Sequence, residues 1–162
     1  MLKFVIMKKQ LLLFAFSALA LTSLTSCEDD DVQGYDLDTL KGEWKNVKTE
    51  IVSGKDNKTV LDLYTYSGCE LKNTTLFRTD YSTTYTYYSS VGADCQISQN
   101  GQGKYTYDAE TKDMVITYDD NVQLKFKVIV LSSSELKLMQ VPSSGDFNGD
   151  TINDLTYTTF KR

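Results

Sequence analysis

The chain has 162 residues, with 17 basic and 22 acidic side chains and a formal net charge of −5. It contains no histidine, which excludes Ser-His-Asp and Cys-His nucleophilic systems and histidine-based metal catalysis. An acidic balance without a basic stripe also lacks the electrostatic footprint of a nucleic-acid binder. Lys8 and Lys9 precede an apolar run from Leu11 to Leu21. That run is short of the roughly 20 apolar residues a membrane span needs and has the length of a signal-peptide core. Met7-Lys8-Lys9 already forms a complete signal start, so Met1 to Ile6 read as upstream of it.

Thr25 and Ser26 lead into Cys27 and then Glu28-Asp29-Asp30-Asp31. This arrangement resembles a bacterial lipobox, in which the cysteine is acylated and residues 1–26 are removed. A soluble secretory signal with Cys27 present by chance would give the same regions. The acidic run after the cysteine resembles the export signal of surface-exposed lipoproteins of the Bacteroides type, and it would serve equally as a solvated tether. The resemblance implies a lipid anchor at Cys27, a membrane partner and an outer-membrane, surface-exposed location. Three of the 17 basic residues and none of the acidic ones precede Cys27, so the mature chain carries about −8 over 136 residues. That length fits one domain.

Residues 27–38 are acidic and poor in apolar side chains, the composition of a flexible tether. Residues 39–162 are rich in Thr, Tyr and Val and carry turn clusters at hairpin spacing, which predicts strands almost throughout. Expected strands run over residues 44–52, 59–66, 71–78, 81–89, 104–107, 114–118, 122–130, 136–138 and 155–161, with no amphipathic helix. Val122, Leu124, Phe126, Val128 and Val130 alternate with polar neighbours in the period of a half-buried strand. Asp108 to Asp113 reads as a hairpin turn. Eight or nine short antiparallel strands predict an all-β fold, a single antiparallel barrel of about eight strands or a two-sheet sandwich, because closure removes exposed edges. A barrel of that size is filled by side chains or holds one small ligand.

Cys69 and Cys95 remain once Cys27 is assigned to lipid. Two cysteines in an exported chain without histidine favour a disulfide over a zinc site, which needs four ligands. The bridge would close a loop of about 25 residues and contribute about 3 kcal/mol.

Leu40-Lys41-Gly42-Glu43-Trp44 opens the first strand with a Gly-x-Trp element. It resembles the first strand of lipocalins and of the lipocalin-like domains of Bacteroides-type lipoproteins. Residues 103–107, 114–116 and 128–138 resemble later hairpins of the same family, and the spacing of Cys69 and Cys95 resembles its cysteine pair. The resemblance implies an eight-stranded barrel over residues 39–162 in which Trp44 seals one end, beneath a basic residue from a late strand that Lys161 or Arg162 would supply. It also implies a non-catalytic protein that binds a small, partly apolar ligand in the barrel mouth. Thr79-Asp80-Tyr81 matches a second lipocalin motif in letters but lies too early in the chain.

Three further features bear on chemistry. Asp119-Asp120 and Asp108/Glu110 are carboxylate pairs of the kind used in glycoside hydrolysis, yet they sit where Asp is favoured for turn hydrogen bonds. Asp146, Asn148, Asp150 and Asp154 occupy relative positions 1, 3, 5 and 9 of a calcium-loop-like run and are candidate ligands of a structural calcium, the one cofactor expected. Thr151 replaces the glycine of such loops, and Tyr157 stands where a bidentate acid belongs; the same segment reads as an acidic connection. Tyr81, Tyr85 and Tyr87 share a predicted strand face and are candidate ligand-lining residues, with Tyr64, Tyr66, Tyr88, Tyr105, Tyr107, Tyr118 and Tyr157 on other strands. Tyrosine suits a cavity, a face presented to a protein or glycan, or any half-exposed strand. The alternative to a ligand-holding barrel is therefore an interaction module with a filled core.

Overall fold

The computed structural model describes residues 29–143 and 145–162, with side chains from residue 32 onward. The proposed signal peptide and Cys27 lie outside the described residues. The chain divides into one unit through Asp31 and another over Val32–Arg162, and the second carries the sheet.

Nine antiparallel strands form one sheet: β1 (Gly42–Val52), β2 (Val60–Thr65), β3 (Thr74–Phe77), β4 (Ser82–Val91), β5 (Asp94–Tyr107), β6 (Asp113–Tyr118), β7 (Gln123–Leu131), β8 (Glu135–Val141) and β9 (Leu155–Lys161). Pairing of β1 with β9 closes the sheet into a barrel, the first of the two architectures that the strand count allows. The barrel has eight positions because β2 and β3 share one. β2 pairs with the second half of β1 (Lys48 to Val52), and β3 pairs with its first half (Gly42 to Lys45).

The segment between them departs from the single strand expected over residues 71–78. Gly68–Lys72 forms a 3-10 helix instead. It is bonded to β5 by the expected Cys69–Cys95 disulfide, with the Cα atoms 5.3 Å apart. Asn73 then seals the seam: its Oδ1 accepts the Tyr88 amide of β4 at 2.7 Å. Strand β5 is also longer than predicted. Its polar first half, Asp94 to Gln102, has no apolar alternation and is strand because all of β4 pairs with it.

Where an acidic tether is expected over residues 27–38, the structure has a helix, α1 (Asp29–Leu40). Its sequence shows no apolar stripe, so no periodicity announces it; its contacts with the barrel hold it. Leu40 is fully buried in the core and Leu37 packs against it. Gln33 Nε2 donates to the Tyr107 carbonyl at 2.7 Å, and Gln33 Oε1 accepts the Ala109 amide at 2.7 Å. Asp36 accepts the Tyr107 hydroxyl at 2.6 Å and the Lys112 ammonium at 2.8 Å. Burial, reinforced by Asp36, pushes the Tyr107 phenol well above its ordinary value.

The core sits at this helix-capped end. Trp44, Phe77, Tyr105, Tyr107, Met114, Ile116, Val128, Leu136, Leu138 and Phe160 converge there with Leu40. They come from the beginning of β1, the end of β3, β5 and β9 and the adjoining parts of β6, β7 and β8, so one end of the barrel is plugged by side chains. Burying such side chains contributes about 1.5–3 kcal/mol each.

Candidate binding site: the open half of the barrel

Register decides which side chains face the interior. Trp44 and Asn46 point inward; a bulge between Asn46 and Lys48 then switches the parity, so Thr49 pairs with inward Thr158 and Ile51 with Thr156. Lys48 and Glu50 are thereby turned to the outer wall. There the Glu50 carboxylate binds Lys48 at 2.9 Å and Lys137 at 3.1 Å. The hydrogen bond from Lys48 is the largest influence holding its pKa below the ordinary carboxylate value. Across the sheet, Thr75 pairs with Tyr85 and Phe77 with Thr83, and these pair in turn with Gly101 and Gly103. Gly103 pairs with Tyr118.

The open half is consequently lined by tyrosines. The Tyr85 ring centre lies 5.0 Å from that of Tyr87 and 5.0 Å from that of Tyr118, the latter edge-on. Such pairs contribute about 0.5–1.5 kcal/mol beyond area burial. Gly101 makes the room: a Cβ there would lie 2.6 Å from the Tyr85 ring. Tyr66 joins from β2's end, its hydroxyl 3.2 Å from Thr49 Oγ1, with Tyr64 edge-on at 5.2 Å. Burial raises the pKa of Tyr87 and Tyr118, and the neighbouring phenols add to the effect: Tyr66 and Tyr85 for Tyr87, Tyr87 and Tyr85 for Tyr118. The phenols are thus neutral hydrogen-bonding groups, and Leu124 and Phe126 add apolar surface to a lining otherwise made of Thr, Gln and Tyr.

Of the candidate lining residues, Tyr85 and Tyr87 stand in this group and Tyr81 does not. Tyr81 precedes β4 in the left-handed region (φ 60°) of the turn at the plugged end, its ring 5.6 Å from Tyr105. The turn reverses the chain before the strand alternation begins, so parity counted back from Tyr85 misplaces it. Sequence reasoning did not single out Tyr118, Tyr66 or Asn46; a fixed strand register would have been needed to find them.

The other candidates are placed as follows. Asp108 accepts the Glu110 and Thr111 amides, and Asp120 accepts the Val122 amide, as turn residues do. Asp119 accepts the Gln102 side chain at 2.7 Å. In the β8–β9 connection, the Asp146 carboxylate accepts the amides of Gly149, Asp150 and Thr151, and Asp150 accepts that of Ile152. The Thr151 amide is the largest influence lowering the Asp146 pKa. Asp154 is fully buried and accepts the Gly54 and Phe147 amides at 3.0 and 2.7 Å, tying this loop to the β1–β2 turn. Among the described residues no three Asp, Glu, Cys or His side chains are grouped to hold a metal ion. A depression of about 340 Å³ is lined by Thr84, Tyr85, Thr86, Asn100, Gly101 and Gln102, and one of about 330 Å³ lies between Lys104, Thr106, Thr117 and Lys125 with Tyr105 in its lining.

At the plugged end, Trp44 Nε1 donates to the Leu40 carbonyl at 2.8 Å. The Arg162 guanidinium covers the indole, its central carbon 4.0 Å from the ring centre. Arg162, rather than Lys161, is the late basic residue that the Gly-x-Trp element implies.

An up-and-down barrel plugged at one end by a tryptophan under an arginine defines a lipocalin-type fold. Residues 40–138 match the lipocalin-like domain family, and the chain belongs to that family. The match stops short of β9, the strand that closes the barrel. Among solved structures the chain is similar to an odorant binding protein, OBP1, at 9% identity, over 77% of this chain and 72% of that one, with a TM-score of 0.40. It is similar also to a deswapped triple mutant of bovine odorant binding protein (19% identity, 76% and 74% covered, TM-score 0.38). The bovine lipocalin allergen Bos d 2 gives 19% identity, 78% and 75% covered, and a TM-score of 0.39. No curated protein matches the chain.

Proposed function

We propose that this protein is a lipid-anchored, non-catalytic binding protein of the bacterial cell envelope that holds a small, largely apolar ligand in the open half of its barrel. The observation that carries the reading is the contact group of Tyr85, Tyr87 and Tyr118 above a plugged floor, aromatic faces with neutral polar tips. Aromatic walls with a few placed polar groups are a common make-up of sites that hold small ligands. Of the carboxylates considered for hydrolysis, Asp108 and Asp120 accept turn amides and Asp119 accepts the Gln102 side chain, which favours binding over catalysis. The lipobox-like Cys27 and the acidic run after it support an acylated mature chain on the outer membrane, facing outward as in Bacteroides-type lipoproteins. More than one acyl chain gives stable anchoring.

Native mass spectrometry of the full chain, released from gently solubilised membranes, tests the proposal. A reproducible small-molecule adduct that is lost on denaturation supports the binding reading; a bare polypeptide mass overturns it. The same spectrum reads the anchor: acyl mass on a chain beginning at Cys27 supports it, and an unmodified chain sinks it.

A second reading, an interaction module, is favoured by a set of exposed apolar residues around the open end. Leu63 of β2, Leu71 of the 3-10 helix, Val91 at the end of β4 and Ile97 of β5 are all more than half exposed. That reading predicts a bare mass together with a stable protein or glycan complex.

A further inference from the structure

We propose that the ligand of this barrel is an uncharged, flat, apolar compound bearing a hydroxyl group, and that Asn46 is the residue that recognises the hydroxyl. The inference rests on the binding reading above and names the class of compound bound. Asn46 occupies the first inward position of β1 on the open side of Trp44 and is 4% exposed. Its side-chain oxygen has no hydrogen-bond partner among the described residues. Buried polar atoms are almost always partnered, so an orphan facing a lined interior calls for one. Two other buried oxygens share that condition. Thr83 Oγ1 faces inward deeper in the barrel, paired in register with Phe77 and Gly103, and Thr159 Oγ1 belongs to the outward parity of β9.

One residue, Asn73, links Asn46 to the strand that carries Tyr85 and Tyr87: the Asn46 backbone N–H donates to the Asn73 carbonyl, and the Asn73 side-chain oxygen accepts the backbone N–H of Tyr88, next to Tyr87. A hydroxyl both donates and accepts, so it satisfies an amide side chain in either orientation. A ring attached to that hydroxyl meets the faces and edges of Tyr85, Tyr87 and Tyr118, which pack flat aromatic or alicyclic surfaces well. Negative charge is selected against. By register the inward positions of the open half are Thr, Tyr, Gln and apolar residues together with Asp62, which pairs with inward Ile51, and no cation is among them. A carboxylate ligand would be desolvated there without a counter-charge.

Isothermal titration calorimetry of the full-length chain in phosphatidylcholine nanodiscs, with empty nanodiscs subtracted, tests this with 2-naphthol and its near-isostere 2-methylnaphthalene. The expected result is that 2-naphthol binds about tenfold more tightly, the gain of one buried hydrogen bond. In the Asn46→Leu variant that ratio falls to about one, while 2-methylnaphthalene keeps its affinity within about threefold. 2-Naphthoate is expected to bind at least about tenfold more weakly than 2-naphthol. Equal affinities of 2-naphthol and 2-methylnaphthalene for the native chain overturn hydroxyl recognition and leave the binding reading standing. Should neither compound bind, the binding reading falls as well. The native ratio decides the matter even if Asn46→Leu does not fold.

Discussion

Arg162 and Trp44 close the barrel together. The guanidinium carbon lies 4.0 Å from the centre of the indole, and Arg162 Nη2 donates to the carbonyls of Thr39 and Lys41 at 2.5 and 2.6 Å. One side chain from the end of the chain therefore fixes the α1–β1 junction, 121 residues earlier, and covers the buried indole. Arg162→Ala is expected to lower unfolding free energy by about 1–2 kcal/mol, the sum of a partly exposed cation–π contact and two hydrogen bonds. Arg162→Lys should recover less than half of the loss, since an ammonium cannot cover the ring and reach both carbonyls at once. Urea denaturation monitored by Trp44 emission measures both.

Gln33 tests whether α1 is part of the domain. Its side chain satisfies the Tyr107 carbonyl and the Ala109 amide, and Ala109 is buried. Gln33→Ala should cost about 1–3 kcal/mol and remove hydrogen-exchange protection from residues 33–40 before that of β5 is affected. Unchanged stability and exchange would mean that the helix is an appendage.

Stability should fall on the alkaline side. Burial pushes the Tyr105 phenol up to about 12 and raises those of Tyr107 and Tyr118 further. An unfolded tyrosine ionises near pH 10. Above that pH the unfolded chain has released protons that the native chain still holds, so the contribution present below about pH 10 is lost as pH rises through the folded values. Melting temperatures from pH 8 to 11.5, read beside phenolate absorbance, check this. The buried tyrosines should ionise only in step with unfolding.

Two glycines in β5 separate packing of side chains from packing of backbone. A Cβ at Gly101 would press on the Tyr85 ring, which can turn aside, whereas a Cβ at Gly103 would run into the Thr117 carbonyl on β6. Gly103→Ala is expected to cost about 3 kcal/mol and Gly101→Ala about 1 kcal/mol, while Gly101→Ala disturbs the Tyr85–Tyr118 contact and weakens binding of 2-naphthol. Chemical denaturation and calorimetry on the two variants separate the effects.

Much of the barrel was legible because period-two alternation is a local property. The run Leu124, Phe126, Val128 announces an inward face, and Leu136 and Leu138 repeat it. The pairing of Cys69 with Cys95 followed from composition and the absence of histidine, and the Gly-x-Trp element located the plugged end. Three features were not legible, each for a physical reason. α1 has no apolar stripe because long-range hydrogen bonds from Gln33 and Asp36 hold it. The polar half of β5 is strand because β4 supplies its partners. Tyr81 left its expected face because a turn with positive φ precedes β4.

The candidate site divides along the same line. The sequence alone determined that tyrosines would be many, that histidine chemistry was excluded and that the fold would be antiparallel β, since these depend on composition and on periods of two residues. Only the tertiary structure decided which tyrosines meet, because inward or outward parity hangs on register, on the bulge after Asn46 and on barrel closure by β9. A shift of one residue would exchange the two faces of a strand. The turning of Glu50 outward and the orphaned oxygen of Asn46 inside follow from those non-local pairings and have no signature along the chain.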